Sequence, residues 1–301
     1  MRVTSLTNSQ FEKLKRYNPG EGITNTEAKL FIMGSERSKK ERQLFKVYYD
    51  REGLSFSKKL YNINILLMYK RILNEQVPEL ITLDGLGTVG GIALGPVMPF
   101  IEKATNLETF LKDSNNPLED KINYLKDVGT ILEKLKNIEG FPYHFYLGDM
   151  HEANFIIDRN GKLRVCDLDS ACLTDEIYFP SKYLFLNPLI SEFPMKYKED
   201  DRGFQIPSRN TDLYCYIMMF LNTIAKTNMY NLSMEQFYYY INYLEDLGFK
   251  KDLLNAIEKM YCNGDNESIL PYLDEIPIKK AYQAHHLVYN KRTGRDLTNP
   301  Y

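Results

Sequence analysis

Tryptophan is absent, and the four cysteines, Cys166, Cys172, Cys215 and Cys262, include no CxxC pair. At 301 residues the chain can bury a substantial core without covalent staples, so these cysteines read as free thiols of a reducing compartment. The missing tryptophan, set against 23 tyrosines, is compositional drift and carries no chemistry. Charge of one sign is lacking too. Lysine and arginine number 38 against 40 acids, a formal charge of −2, so no global field draws the chain to nucleic acid or an acidic membrane. Long apolar runs are scarce. "YCYIMMFL" falls far short of the ~20 residues of a membrane helix. The first residues, "MRVTSLTNSQFEKLKRYN", hold no apolar core of signal-peptide type. These absences predict a soluble, cytoplasmic protein with no nucleic-acid or membrane partner.

What is present divides in two. "EAKLFIMG" and "QLFKVYYD" read as strands joined through the charged turn "SERSKKER". In "SFSKKLYNINILLMYKRILNE" the apolar residues Phe56, Leu60, Ile63 and Leu67 recur at three and four. That spacing predicts one helix, capped by Ser55 or Ser57 and ended before Pro78. "GGIALGPVMPFIE" reads as a buried strand running into a proline-punctuated linker. Beyond it the pattern turns helical. "NLETFLKD" is a short helix, and "PLEDKINYLKDVGTILEKLKNIEG" a long one with Pro117 near its start and Gly140 past its end. "NTDLYCYIMMFLNTIAK", "SMEQFYYYINYLEDLG" and "KKDLLNAIEKMYC" close the chain. The expectation is an α+β protein, β-rich over 1–100 and helical over 101–301.

Between the helices lies "YLGDMHEANFIIDRNGKLRVCDLDSA". Two short apolar runs flank Asn-Gly, a strong hairpin signal. A tight hairpin sets the start of one arm beside the end of the other, which predicts Asn154 and Asp167 as neighbours. A carboxylate and an amide oxygen so placed form a hard-oxygen site suited to Mg²⁺, which keeps several waters and shares its shell with phosphate. Asp149, one loop away, is placed to accept a proton from an attacking hydroxyl.

Asp149, Asn154 and Asp167 have the catalytic-loop and metal-loop spacing of the protein kinases. "GDMHEAN" resembles more closely the "GDxHxxN" loop of aminoglycoside phosphotransferases, choline kinases and other kinase-like phosphotransferases. The resemblance covers roughly residues 20–275 and is most specific over 146–171. It implies a two-lobed fold, with a small nucleotide-binding lobe at 1–100 and a larger helical lobe at 101–301 carrying the catalytic loop and acceptor site. It implies ATP and Mg²⁺, with Asp149 as the catalytic aspartate and Asn154 and Asp167 as metal ligands. Lys46, mid-strand in "QLFKVYY", would neutralise the inner phosphates of ATP.

Other positions follow from the same resemblance. Gly20 and Gly22 stand where a phosphate-cradling glycine loop would, without its third glycine. "GPVMPFIE" resembles the hinge between lobes, where Met98 would offer its backbone to the purine. His151 would touch the γ-phosphate or brace the loop. Asp169 would be a second metal ligand or a solvated carboxylate. Cys166 would line the nucleotide pocket or be an inert buried thiol. Asp212 would hold the catalytic loop by its backbone, and "SKYLFLNP" is similar to the end of an activation segment. One part of the pattern is missing. "SKKLYNINILLMYKRIL" has no acid to pair with Lys46, which leaves Asn62, Asn64, Glu52 and Glu75 as alternatives. The implied activity is transfer of the γ-phosphoryl of ATP to a Ser or Thr hydroxyl of a protein. A small-molecule acceptor, a nucleotide-binding pseudokinase and transfer of AMP are the alternatives.

Overall fold

The computed structural model describes residues 2–18, 28–34, 42–51, 53–171, 173, 198–199, 205–206, 209–225, 234–263 and 269–277. Gly20, Gly22, Glu52, Cys172, the turn at 35–41, "SKYLFLNP" and the side chain of Cys262 lie outside them. The chain is mixed α and β, strand-rich in its N-terminal region and helical later. It forms two compact units that interleave along the sequence. One comprises Met1–Thr105, Asn137–Phe145 and Phe155–Ile177; the other comprises Asn106–Lys136, Tyr146–Asn154 and Tyr178–Tyr301. No helix among the described residues is long and apolar enough to cross a membrane.

The first unit is built on six strands: β1 (Val3–Leu6), β2 (Lys15–Tyr17), β3 (Ala28–Met33), β4 (Gln43–Tyr48), β5 (Gly85–Val89) and β6 (Ile92–Pro99). Their order is β1-β5-β6-β4-β3-β2, with β1 parallel to β5 and the other pairs antiparallel. β3 and β4 occupy the two stretches expected to be strands. The short helix α1 (Asn8–Glu12) was not expected, yet Thr7 and Gln10 form a capping box: the Thr7 hydroxyl accepts from Gln10 N at 3.2 Å, and Gln10 Oε1 accepts from Thr7 N at 2.8 Å. β5 was not expected either. It joins β6 through Gly90 and Gly91, whose φ angles of 58° and 84° supply the left-handed pair a tight hairpin needs.

Alternation along β4 sorts its side chains between the sheet's two faces. Phe45 packs with Met33, Val89, Leu94 and Val97, and Phe11 of α1 covers the same cluster. Each such buried side chain stabilises the fold by roughly 1.5–3 kcal/mol. Lys46 and Tyr48 therefore point to the opposite face. There Tyr48 meets Phe56 of α2 (Gly53–Met68) edge-on, with ring centroids 5.8 Å apart. β4 and β6 approach closely at Gly95. A Cβ there would sit 2.1 Å from the Lys46 carbonyl oxygen, a contact only backbone movement can relieve. Gly95→Ala should cost about 1–3 kcal/mol in urea unfolding, the range for overpacking, and displace Lys46 with its strand. An unchanged midpoint would show that β4 and β6 separate without cost.

The expected single helix after β4 is two: α2 and α3 (Lys70–Gln76). They break at Tyr69, whose ring packs edge-on to Phe141 and Tyr143 at 5.2 and 6.0 Å. Hydrogen bonds from Tyr69 N to Ile65 O and from Leu73 N to Tyr69 O, both 3.0 Å, persist across the break, so the helix bends rather than parts. The buried face of α2 carries Lys59 and Asn62 beside Ile63 and Leu66.

The predicted hairpin is present, with Phe155–Ile157 antiparallel to Leu163–Val165 and Phe155 opposite Val165. Asp158 organises its turn by accepting from Asn160 N at 2.8 Å and Lys162 N at 3.0 Å. On the other side Val165 N donates to Glu79 O and Val165 O accepts from Ile81 N, both at 2.9 Å. Val165 is thus held from both sides, two residues before Asp167.

In the second unit α4 (Leu107–Lys112) precedes α5 (Leu118–Lys136). α5 packs on the helix Arg209–Ala225, which packs in turn on Lys251–Asn263. Leu125 and Val128 on α5 and Met219 and Phe220 on the next helix are fully buried.

Candidate active site

Lys46, Asp167 and Asp169 lie in the first unit; Asp149, His151 and Asn154 lie in the second. Lys46 sits on an inner strand with 5% of its side chain exposed, so its ammonium needs anionic partners. It donates to Asp167 Oδ1 and to both oxygens of Asp169, the latter at 3.2 and 3.1 Å. Asp167 adopts a left-handed backbone (φ 62°, ψ 41°), a conformation aspartate tolerates better than most residues. That turn brings the carboxylates of Asp167 and Asp169 onto one ammonium.

Asp169 is wholly enclosed. The Tyr48 hydroxyl donates to its Oδ2, and the amide of Asn62 donates to the carbonyls of Asp169 at 3.2 Å and Ala171 at 2.6 Å. The Lys59 ammonium lies 4.7 Å from the centre of the Tyr48 ring, a cation–π contact. Burial alone would raise the Asp169 pKa, but the Lys46 charge, then a hydrogen bond with Asp167, the Lys59 charge and the Tyr48 hydroxyl outweigh it and hold the carboxyl below its usual range. Burial would lower Lys46, yet the two carboxylates hold it above its ordinary value. Burial, aided by the adjacent Asp169 charge, pushes Asp167 up to about 7 against the pull of Lys46. Asp167 has 32% of its side chain open, whereas Asp169 has none.

Three expectations change here. Asp169 is neither solvated nor open to a metal, because Lys46 and Tyr48 occupy its oxygens. Met98 pairs with Leu44 on β4. Phe100 N donates to Arg42 O two residues on, so ladder alternation directs the Met98 backbone at Leu44 rather than at a ligand. Asn64 is exposed and Glu75 pairs with Arg71 at 2.8 Å; among the described alternatives Asn62 reaches the lysine's partner, through the Asp169 backbone. Cys166 is in no disulfide, and burial, then the Asp167 charge, push its thiol up to about 12, so it stays protonated. The sequence reading missed Tyr48 and Lys59. The signal for Tyr48 was its position two residues beyond Lys46 on the same sheet face.

In the second unit, Asp212 stands near the start of the helix Arg209–Ala225. Its buried carboxylate accepts from Leu147 N at 2.7 Å and Gly148 N at 3.1 Å, the backbone hold implied for this residue. Gly148 (φ 70°) then turns the chain into Asp149. His151 Nδ1 accepts from Ala153 N at 3.2 Å, with its Nε2 3.6 Å from Asp149 Oδ2, so His151 braces the loop. Asn154 Nδ2 donates to the Asp149 carbonyl at 2.7 Å. Asn106 caps α4 by accepting from Glu108 N at 2.9 Å and donates to Ala153 O at 2.8 Å. Residues 147–154 are thereby pinned at both ends. The run before them, His144–Leu147, is not a strand; Tyr146 alone makes a bridge.

No protein-family model matches the chain, and no curated protein matches its sequence. The chemistry must come from the residues themselves. Among the described residues no three His, Cys, Asp or Glu side chains group as metal ligands. The carboxylate of Asp167, partly open to solvent, and the amide oxygen of Asn154 are hard donors of the kind Mg²⁺ prefers.

Burial pushes Asp212 up to about 7, against the two backbone N–H groups. A folded pKa raised above the unfolded value stabilises the protein fully below the unfolded pKa, and that contribution is lost as pH rises through about 7. Asp212→Asn removes this titration but leaves one backbone N–H poorly satisfied. Thermal melts should show the variant furthest below the parent at acid pH and closing on it toward pH 8. A gap independent of pH would place the titration elsewhere.

Proposed function

We propose that the chain is an ATP-dependent phosphotransferase of the protein kinase-like fold, transferring the γ-phosphoryl group to a Ser or Thr hydroxyl of a protein. The observation that supports this best is the buried strand lysine, Lys46, paired with Asp167 across 121 residues. A buried cation held by two carboxylates is the kind of charged cluster that gathers at functional sites. Lys46 with Asp167 is also the pair that a polyphosphate and its cation require. The Asp212 contacts add support, because they fix the backbone that leads into Asp149.

On this reading Lys46 neutralises the inner phosphates. Asp149 orients the acceptor hydroxyl and takes its proton. The hydroxyl oxygen bonds to the γ-phosphorus, the bond to the β–γ bridging oxygen breaks, and its electron pair leaves with ADP. Asn154 and Asp167 are the residues that would hold Mg²⁺, which would supply charge neutralisation on the phosphate oxygens. Most of the acceleration comes from placement and charge rather than covalent help.

The test is incubation of the purified chain with γ-labelled ATP and a cell lysate, with Asp149→Asn as control. Labelled Ser or Thr in a protein supports the proposal in full. ADP formed with no protein labelled keeps the phosphotransferase and moves the acceptor to a small molecule. ADP formation no greater than that of Asp149→Asn overturns the reading.

A further inference from the structure

We infer that Asp169 is the residue that positions Lys46, in the place of a helix acid, and that Tyr48 and Asn62 set Asp169. The inference deepens the phosphotransferase reading and rests on it for its catalytic consequence. α2 is the helix behind Lys46, and its buried face offers Lys59 and Asn62 but no carboxylate. The buried ammonium has two carboxylate partners that differ in one decisive respect. Asp167 has 32% of its side chain exposed, whereas Asp169 has none. Asp167 can exchange the lysine for another cation and remain solvated. Asp169 cannot, because losing Lys46 would strand a charge in the interior.

The surroundings of Asp169 are built for permanence. Its two oxygens meet Lys46, one of them also takes the Tyr48 hydroxyl, and Asn62 grips the carbonyls of Asp169 and Ala171. The Lys59 ammonium lies 4.7 Å from the ring of the tyrosine that donates to Asp169. α2 thus governs the lysine through an amide on the 169–171 backbone rather than through a carboxylate of its own. The aim of Lys46 follows the turn after the hairpin, and Asp167 is left to serve the ligand.

The test reads Lys46 directly. The full chain is labelled with trace acetic anhydride, and acetylation of Lys46 is quantified by mass spectrometry. Lys121, a buried lysine whose ammonium donates to Asp113 O in the second unit, is the internal control. In Asp169→Asn, Lys46 labelling should rise roughly tenfold or more, the scale of a one-unit pKa change, with Lys121 unchanged. The KM for ATP should rise more than kcat falls, and Asp169→Asn should add little to the loss already caused by Lys46→Met, as coupled residues do. Unchanged Lys46 labelling with Lys121 still protected overturns the inference. Should Lys121 become labelled too, the fold has failed and Tyr48→Phe carries the test. A rise confined to Lys46 in that variant supports the inference, and no rise overturns it. The expected labelling in a chain that transfers no phosphoryl group leaves the positioning standing and removes the phosphotransferase reading instead.

Discussion

Lys46→Met should lose about 3–5 kcal/mol of stability at neutral pH, the usual cost of removing one partner from a buried ion pair, along with all detectable phosphoryl transfer. The loss is electrostatic. Methionine fills much of the same space, but it takes from the enclosed Asp169 its ammonium partner and leaves the more distant Lys59 charge, the Tyr48 hydroxyl and Asp167. Without Lys46, desolvation raises the folded pKa of Asp169 above its unfolded value. Stability from a group shifted that way is fully present below the unfolded pKa and lost as pH rises through the folded one. The deficit of Lys46→Met relative to the parent should therefore be small near pH 4 and grow toward neutrality. Thermal melts across that range decide it: a deficit constant with pH would assign the loss to packing.

Asp167→Asn should separate function from fold. Lys46 keeps Asp169 as its partner, so the melting temperature should barely move. Phosphoryl transfer should fall about a thousandfold, some 4 kcal/mol of barrier at ~1.4 kcal/mol per tenfold. Asparagine also accepts the left-handed backbone at this position (φ 62°), whereas Asp167→Ala adds about 1 kcal/mol of strain. A rate within about tenfold of the parent would remove Asp167 from the chemistry.

Much of the local structure was legible. The period of β3 and β4, the periodicity of α5 and the later helices, and the Asn-Gly hairpin all lie in short windows of sequence. Two elements went unread although their signals were present: the capping box of Thr7 and Gln10, and the Gly90–Gly91 turn that implies β5. The break at Tyr69 had no such signal, because its cause is a pair of rings some seventy residues away, Phe141 and Tyr143.

The candidate site divides the same way. Asp149, Asn154 and Asp167 could be picked out because they share a local spacing, and Lys46 and Asp212 because the kinase resemblance implied them. The role of Asp169 could not, since an acid at that position reads as a metal ligand or a solvated charge until its surroundings are known. By itself the sequence determined which stretches become strand or helix and which oxygens and cations are available, because propensity, periodicity and turn chemistry act over a few residues. Only the tertiary structure decided which acid holds Lys46. That pairing depends on the register of an inner strand and a left-handed turn 121 residues later, and burial rather than proximity in the chain decides which carboxylate stays with the lysine.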